Sequence, residues 1–394
     1  MQYVSRIEFW TRWKYVVFSA GLFWFAVGMG IAPRNKNYQQ VYLFVVVLPF
    51  FIDLLLSRDY LRFFLNKRFF YFLAIFALAV IPVFFFEGGA QGWHTLKRSI
   101  YIMAFLFCFY TLACKGVPEV RRVVVFVYWM GGVVAFCSVL NFYLIQGRSP
   151  YERLLGLGVL DDPIMGAYAI SMMLIGGWCL NDRQETFIKA FFFYCSAASM
   201  FCYVVLTQSR GAFFALFLAF LLRSVLHFSK KEWLVSFLCA MFFILVLGLF
   251  YPLVVERGFS FRPAIIHQAV IMIGYHPWFG IEGPYKIYVP ELGMEFAHAH
   301  NMLLHIGITN GLIVLAVWLV VWMRIFILAW KYRAEVFSGY VLVAWFFSTV
   351  AMQFDGARFI DTPRPEWLIS WWVVGLYIVL SVRHSKESQP ALSR

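Results

Sequence analysis

Residues 301–330 read NMLLHIGITNGLIVLAVWLVVWMRIFILAW. Apart from His305, the only charged or titratable side chain in that stretch is Arg324. A helix needs roughly 20 mostly apolar residues to cross a bilayer, so this run is long enough to span one and to tilt or extend beyond it. Working outward, further apolar segments of spanning character lie at 15–32, 40–57, 69–86, 99–114, 123–145, 163–180, 188–207, 211–228, 233–254, 337–353 and 367–383. The expected fold is therefore all-α: a polytopic transmembrane helical bundle of about 12 spans, forming a single membrane domain over residues 1–394. Around Ser209-Arg210-Gly211 the pattern fits either two helices meeting at a tight turn or one broken helix. The first run has no small-residue cleavage site and reads as a span rather than a signal peptide.

The composition agrees. Hydrophobic residues make up 62% of the chain and charged residues only 13%, against about a quarter charged in soluble domains. The net charge of +13 does not indicate a nucleic-acid partner, because the charges form short clusters between apolar runs, as membrane-flanking residues do. All 7 cysteines lie in or beside apolar runs and none forms CxxC, so they read as small buried hydrophobes.

Lysine and arginine set the orientation. With an even number of spans, one set of connections, including both termini, holds 21 of the 33 basic residues. That set is expected to be cytoplasmic. The opposite, outside set holds the other 12, and its longest member is the loop 255–300. Within this loop Pro263–Tyr275 is apolar enough for a helix lying on the membrane or packed over the bundle.

Cations on the outside run against the positive-inside rule and call for an explanation. Arg148, Arg153, Arg210 and Arg262 are among them. A guanidinium fork suits phosphate oxygens and stays charged when partly desolvated, which points to a phosphate or diphosphate site. The bland alternative is contact with lipid headgroups and pairing with nearby carboxylates such as Asp161, Asp162, Asp355 and Asp361. Arg210 in TQSRGAFF is the sharpest case, since an ionisable side chain between apolar segments is costly.

The stretch HAHNMLLHIGITNGL, residues 298–312, closes the long loop. A histidine at a membrane boundary can take a proton near neutral pH, which makes His300 a candidate base. If the helix has begun by His300, that residue shares a face with Leu304, and His305 is rotated away. Asn301 can orient a substrate or cap the helix. His298 and His300 form an HxH pair that can hold a metal, but with no cysteine nearby and Glu291 and Glu295 unplaced, no metal is assigned. Asp162 can support a base, pair with arginine or cap a helix. No Walker loop, GxSxG or HExxH is present, and no DxD-type pair lies in the long loop.

Four features together resemble the O-antigen ligase family of bacterial lipopolysaccharide assembly, within a superfamily that includes O-antigen polymerases. They are the late outside loop, SRG at 209–211, Arg262 followed by the HPWFGIEG turn, and HNMLL at 300–304. His300, Asn301 and Gly311 match the family spacing, whereas Val314 and Phe214 depart from it. The resemblance implies an enzyme of the bacterial inner membrane with both termini cytoplasmic and a periplasmic active site. Such an enzyme transfers a glycan from undecaprenyl diphosphate to lipid A-core, with inversion and without metal, nucleotide or other cofactor. By that resemblance His300 would be the base, and Arg210 and Arg262 would hold the diphosphate. Asn301, His298 and Asp162 are expected acceptor or supporting residues from the reading of the residues themselves. Arg148 and Arg153 are added from the charge map alone. An O-antigen polymerase is the alternative enzyme, and a flippase or transporter for lipid-linked glycan is the alternative outside enzymology. Membrane lipids are the other expected partners.

Overall fold

The structure, a computed structural model, describes residues 2–57, 63, 70–86, 89–181, 186–227, 230–249, 261–281 and 285–387. Most of the 58–68 connection, the segment 250–260 (the end of the 233–254 run and the start of the long loop), and Glu282 and Gly283 of the HPWFGIEG turn lie outside the described residues.

The chain is a multi-pass helical membrane protein. Its helices are α1 (Gln2–Ile31), α2 (Asn35–Leu56), α3 (Phe70–Phe86), α4 (Gly89–Lys115), α5 (Val117–Ile145), α6 (Pro163–Leu180), α7 (Phe187–Leu206), α8 (Arg210–His227) and α9 (Lys230–Leu249), then α10 (Arg262–Tyr275), α11 (Met302–Lys331), α12 (Val336–Phe354) and α13 (Trp371–Glu387). Among the described residues, nine of these are long and apolar enough to cross a membrane. Among the described residues, each of the twelve apolar segments read from the sequence overlaps a helix; residues 250–254, at the end of the 233–254 segment, lie outside the described residues. The stretch around Arg210 resolves as two helices, with Thr207 ending α7 and Gln208 in the left-handed region at φ 53°.

The core is aromatic. Trp367, Trp371 and Trp372, at the entry to α13, are buried. Trp372 meets Phe109 edge-on with ring centroids 5.1 Å apart, and Trp367 stacks on Phe25 at 5.8 Å. Such offset and edge-on contacts add to area burial and fix the rotation of α13 against α1 and α4.

Two features go beyond the sequence expectation. The long loop is partly helical, as read, but it also carries strands. After α10 it forms an antiparallel hairpin, β1 (Ile287–Val289) with β2 (Met294–Phe296), pairing Ile287 with Phe296 and Val289 with Met294. Ile265 and Ala269 of α10 pack with Ile287, Val289 and Ile308 into a satellite core. The opposite face of α10 leaves Ile266, Val270 and Tyr275 exposed, as a helix lying against lipid would.

The second difference concerns the 301–330 run. Helix α11 starts at Met302, so His300, with φ 49°, lies outside it, and the shared face with Leu304 does not arise. The helix is also broken at Gly311, where φ is 78° and ψ 173°. A break inside a helix frees backbone groups that must find partners. The HPWFG turn supplies them: Leu312 N–H donates to the Pro277 carbonyl (2.7 Å), and Ile281 N–H donates to the Ile308 carbonyl. A β-carbon at Gly311 would collide with the Trp278 carbonyl, so glycine meets both the dihedral and the close approach.

Candidate functional site

Five element ends meet at one end of the bundle: the starts of α6, α8, α10 and α11 and the end of α12. Phe354, the last residue of α12, is the hub. Its ring lies 5.7 Å beneath the Arg262 guanidinium and meets Phe214 of α8 edge-on at 5.9 Å. The backbone at Gly211 approaches so closely that a β-carbon there would sit 2.8 Å from Phe354 Cβ and 2.8 Å from the Tyr168 hydroxyl. Gly211, next to Arg210, and Arg262 thus converge on one residue. Both arginines open helices, where the macrodipole is positive and a cation is disfavoured, so both sites favour an anion opposite them.

Asp355 follows Phe354 and is buried, with 5% exposure. Its Oδ1 accepts from the Gly356 N–H (2.8 Å) and faces His300 Nδ1 at 3.5 Å and His298 Nδ1 at 3.9 Å. Burial alone would raise the Asp355 carboxyl. The contact with His300, the field of His298 and the Gly356 bond outweigh it and leave Asp355 below the ordinary carboxylate range. His300 Nδ1 is itself buried and makes no closer hydrogen bond. The His298 and His300 rings lie 4.1 Å apart, and His300 N–H donates to His298 Nδ1 (3.3 Å). Burial first, and then the neighbouring His300, push the His298 ring below the ordinary histidine range, so it is neutral near pH 7.

Asn301 caps α11 by accepting from Leu304 N–H (3.1 Å), and its amide donates to Gln353 of α12 (3.1 Å). That bond ties the start of α11 to the last turn of α12, which fixes His300 against Asp355. Asp162 caps α6, its Oδ1 accepting from Ile164 and Met165 N–H at 2.8 Å each. Asp162 also lines a cavity of about 510 Å³ with His298, Asp355, Arg34, Arg358, Arg364 and Glu366. Burial raises the Glu366 carboxyl to about 7.

Arg153 and Arg148 are engaged locally. Arg153 donates from Nε to the Thr207 carbonyl (2.9 Å), which closes the C-terminal end of α7. Arg148 is exposed and pairs with Glu152 at 3.5 Å. His267 and His276 are exposed.

Two residues absent from the sequence reading of the site matter here. Asp355 had entered only as a counter-ion for arginine; its burial beside two histidines is a tertiary fact. His305, set aside as rotated away, is buried and pins two loops. Its Nε2 accepts from the Arg358 backbone N–H (2.8 Å), so in the neutral ring Nδ1 carries the hydrogen and donates to the Tyr285 hydroxyl (2.8 Å). It thereby holds Arg358 in its left-handed conformation, φ 66°, at the cavity.

Comparison with known proteins gives two matches. Residues 195–319 match the O-antigen ligase family model. Over 369 residues the chain is 27% identical to the O-antigen ligase of Pseudomonas aeruginosa, covering 91% of this chain and 90% of that protein. The resemblance read from the motifs is borne out. The family match contains Arg210, Arg262 and His300, whereas Asp355 lies beyond it.

Proposed function

From this match to the O-antigen ligases, we propose that the chain is a glycosyltransferase that joins O-antigen glycan from undecaprenyl diphosphate to lipid A-core. The reaction takes place at the periplasmic face of the bacterial inner membrane, and both termini are cytoplasmic. The observation that carries the reading is the junction Phe354-Asp355: Arg262 and the Arg210–Gly211 turn meet on the first residue, and His300 faces the second.

The chemistry follows from that junction. Asp355, a carboxylate at neutral pH, accepts from His300 Nδ1–H and so leaves the Nε2 lone pair for the acceptor. The acceptor hydroxyl enters through the cavity lined by His298, Asp162 and Arg358. Its oxygen attacks the anomeric carbon of the glycan while the proton passes to His300 Nε2. The carbon–oxygen bond to the carrier breaks, and its electron pair leaves with undecaprenyl diphosphate. Arg210 and Arg262 stabilise that growing negative charge, each aided by a helix N-terminus. One displacement inverts the anomeric centre. Asn301 positions His300, and Arg148 and Arg153 form the outer rim toward the carrier headgroup. The step needs neither nucleotide nor metal.

Purified protein supplied with undecaprenyl-diphosphate glycan and lipid A-core, without added metal or nucleotide, tests this. Glycan joined to lipid A-core with inverted configuration is expected. Lengthening of the glycan on its carrier would instead identify a polymerase, and no covalent product with net lipid movement would identify a flippase.

A further inference from the structure

His298, His300 and Asp355 each present one ligand atom, and the three atoms lie within 4.8 Å of one another. We propose that these residues form a capture site for a zinc-class divalent cation that silences the base. This rests on the reading of His300 as the base for its consequence, though not for the binding itself.

The donor set fits. Zinc takes imidazole nitrogen and carboxylate oxygen at about 2.0–2.2 Å in a tetrahedron, so neighbouring ligand atoms stand roughly 3.3–3.5 Å apart. His300 Nδ1 and Asp355 Oδ1 are 3.5 Å apart, and His298 Nδ1 and Asp355 Oδ1 are 3.9 Å apart. A rotation of His298 that releases the bond its Nδ1 accepts from His300 N–H (3.3 Å) closes the difference. Two independent features favour a cation. His300 Nδ1 is a buried nitrogen with no hydrogen bond closer than its long contact to Asp355. Two imidazoles with centroids 4.1 Å apart sit against a single buried carboxylate, so two nitrogen donors and one anionic oxygen face a common point, as a shared metal requires. The cavity that His298 and Asp355 line provides the entry path.

Silencing follows from imidazole chemistry. A neutral imidazole has one lone pair. When that pair on His300 Nδ1 binds the cation, the hydrogen resides on Nε2, and no lone pair is left for the acceptor hydroxyl. A bound cation is therefore an inhibitor of transfer and not a participant in it.

The test uses full-length protein carried on a tag without histidine, stripped with chelator and titrated with Zn²⁺ by equilibrium dialysis. One equivalent bound per chain is expected, weakened at least tenfold by His298→Gln, His300→Gln and Asp355→Asn and unchanged by His276→Ala at an exposed histidine. Thermal melting of each variant shows that it is folded. Zinc-edge absorption of the wild type should report two imidazoles. Binding that the three variants do not weaken, or no binding at all, overturns the site. In the transfer assay Zn²⁺ should inhibit and chelator should restore activity. Activity that rises with Zn²⁺ or disappears with chelator overturns the silencing role. Failure of the enzyme to transfer at all would sink the functional reading while leaving the dialysis result to stand by itself.

Discussion

His300 Nδ1 lies 3.5 Å from Asp355 Oδ1, although the two residues are separated by the whole of α11 and α12. The contact exists because Asn301 both caps α11 and donates to Gln353, two residues before Asp355. Asp355 is thus placed to fix the tautomer and the direction of the histidine ring, as a carboxylate does in other acid–base pairs.

Removing the Asp355 charge should therefore act through His300. Asp355→Asn is expected to lower kcat for glycan transfer by about 10- to 1,000-fold with a small change in the acceptor KM. Asp355→Glu should recover part of the loss. Steady-state kinetics of the purified variants check this; a change confined to KM would assign Asp355 to substrate contact instead.

Arg262 tests the need for a planar fork. Its guanidinium lies over Phe354 and its helix start favours an anion. Arg262→Ala should raise the donor KM and lower kcat, together by about 100-fold in kcat/KM, and Arg262→Lys should restore the charge but only part of the rate. Arg210→Lys and Arg210→Ala should follow the same order. Equal activity of the lysine and alanine variants would show that charge is not what these positions supply.

The break in α11 makes a prediction about the fold. Gly311→Ala adds a β-carbon where φ is 78° and where the Trp278 carbonyl already sits. We expect a loss of about 1–3 kcal/mol, read as a lower Tm in detergent. Leu312→Ala, on the same turn and 39% exposed, should shift Tm much less.

Glu366 makes the fold sensitive to pH as it rises from about 4.5 through about 7. Its folded value of about 7 exceeds the ordinary 4.5, so the native state favours the protonated carboxyl. This contribution is complete below the ordinary value and is lost as pH rises through about 7. Glu366→Gln, which cannot ionise, should flatten the fall in Tm between pH 5 and 8, by up to about 3 kcal/mol of relative stability at the upper end.

Much of this architecture was legible in the residues. The spanning helices were, because membrane crossing is a matter of apolar length, which a sequence displays directly. Arg210, Arg262 and His300 stood out because each is a charged or titratable group beside apolar runs. The hairpin at 287–296 was not visible, since strands of three residues leave too short an alternation to read. The pairing of Asp355 with His300 and the two loops held by His305 are long-range contacts that no local pattern encodes. The apolar run placed the start of α11 near residue 301, and capping was one of the two roles read for Asn301; the positive φ that takes His300 out of the helix left no local signal.

The central claim is that His300 removes the proton from the acceptor hydroxyl. The most direct measurement compares wild type with His300→Ala for two quantities on the same preparation: affinity for undecaprenyl-diphosphate glycan and the rate of its transfer to lipid A-core. Donor affinity within about threefold of wild type, with transfer reduced at least about 100-fold, is the predicted result. Transfer by His300→Ala at the wild-type rate would contradict it.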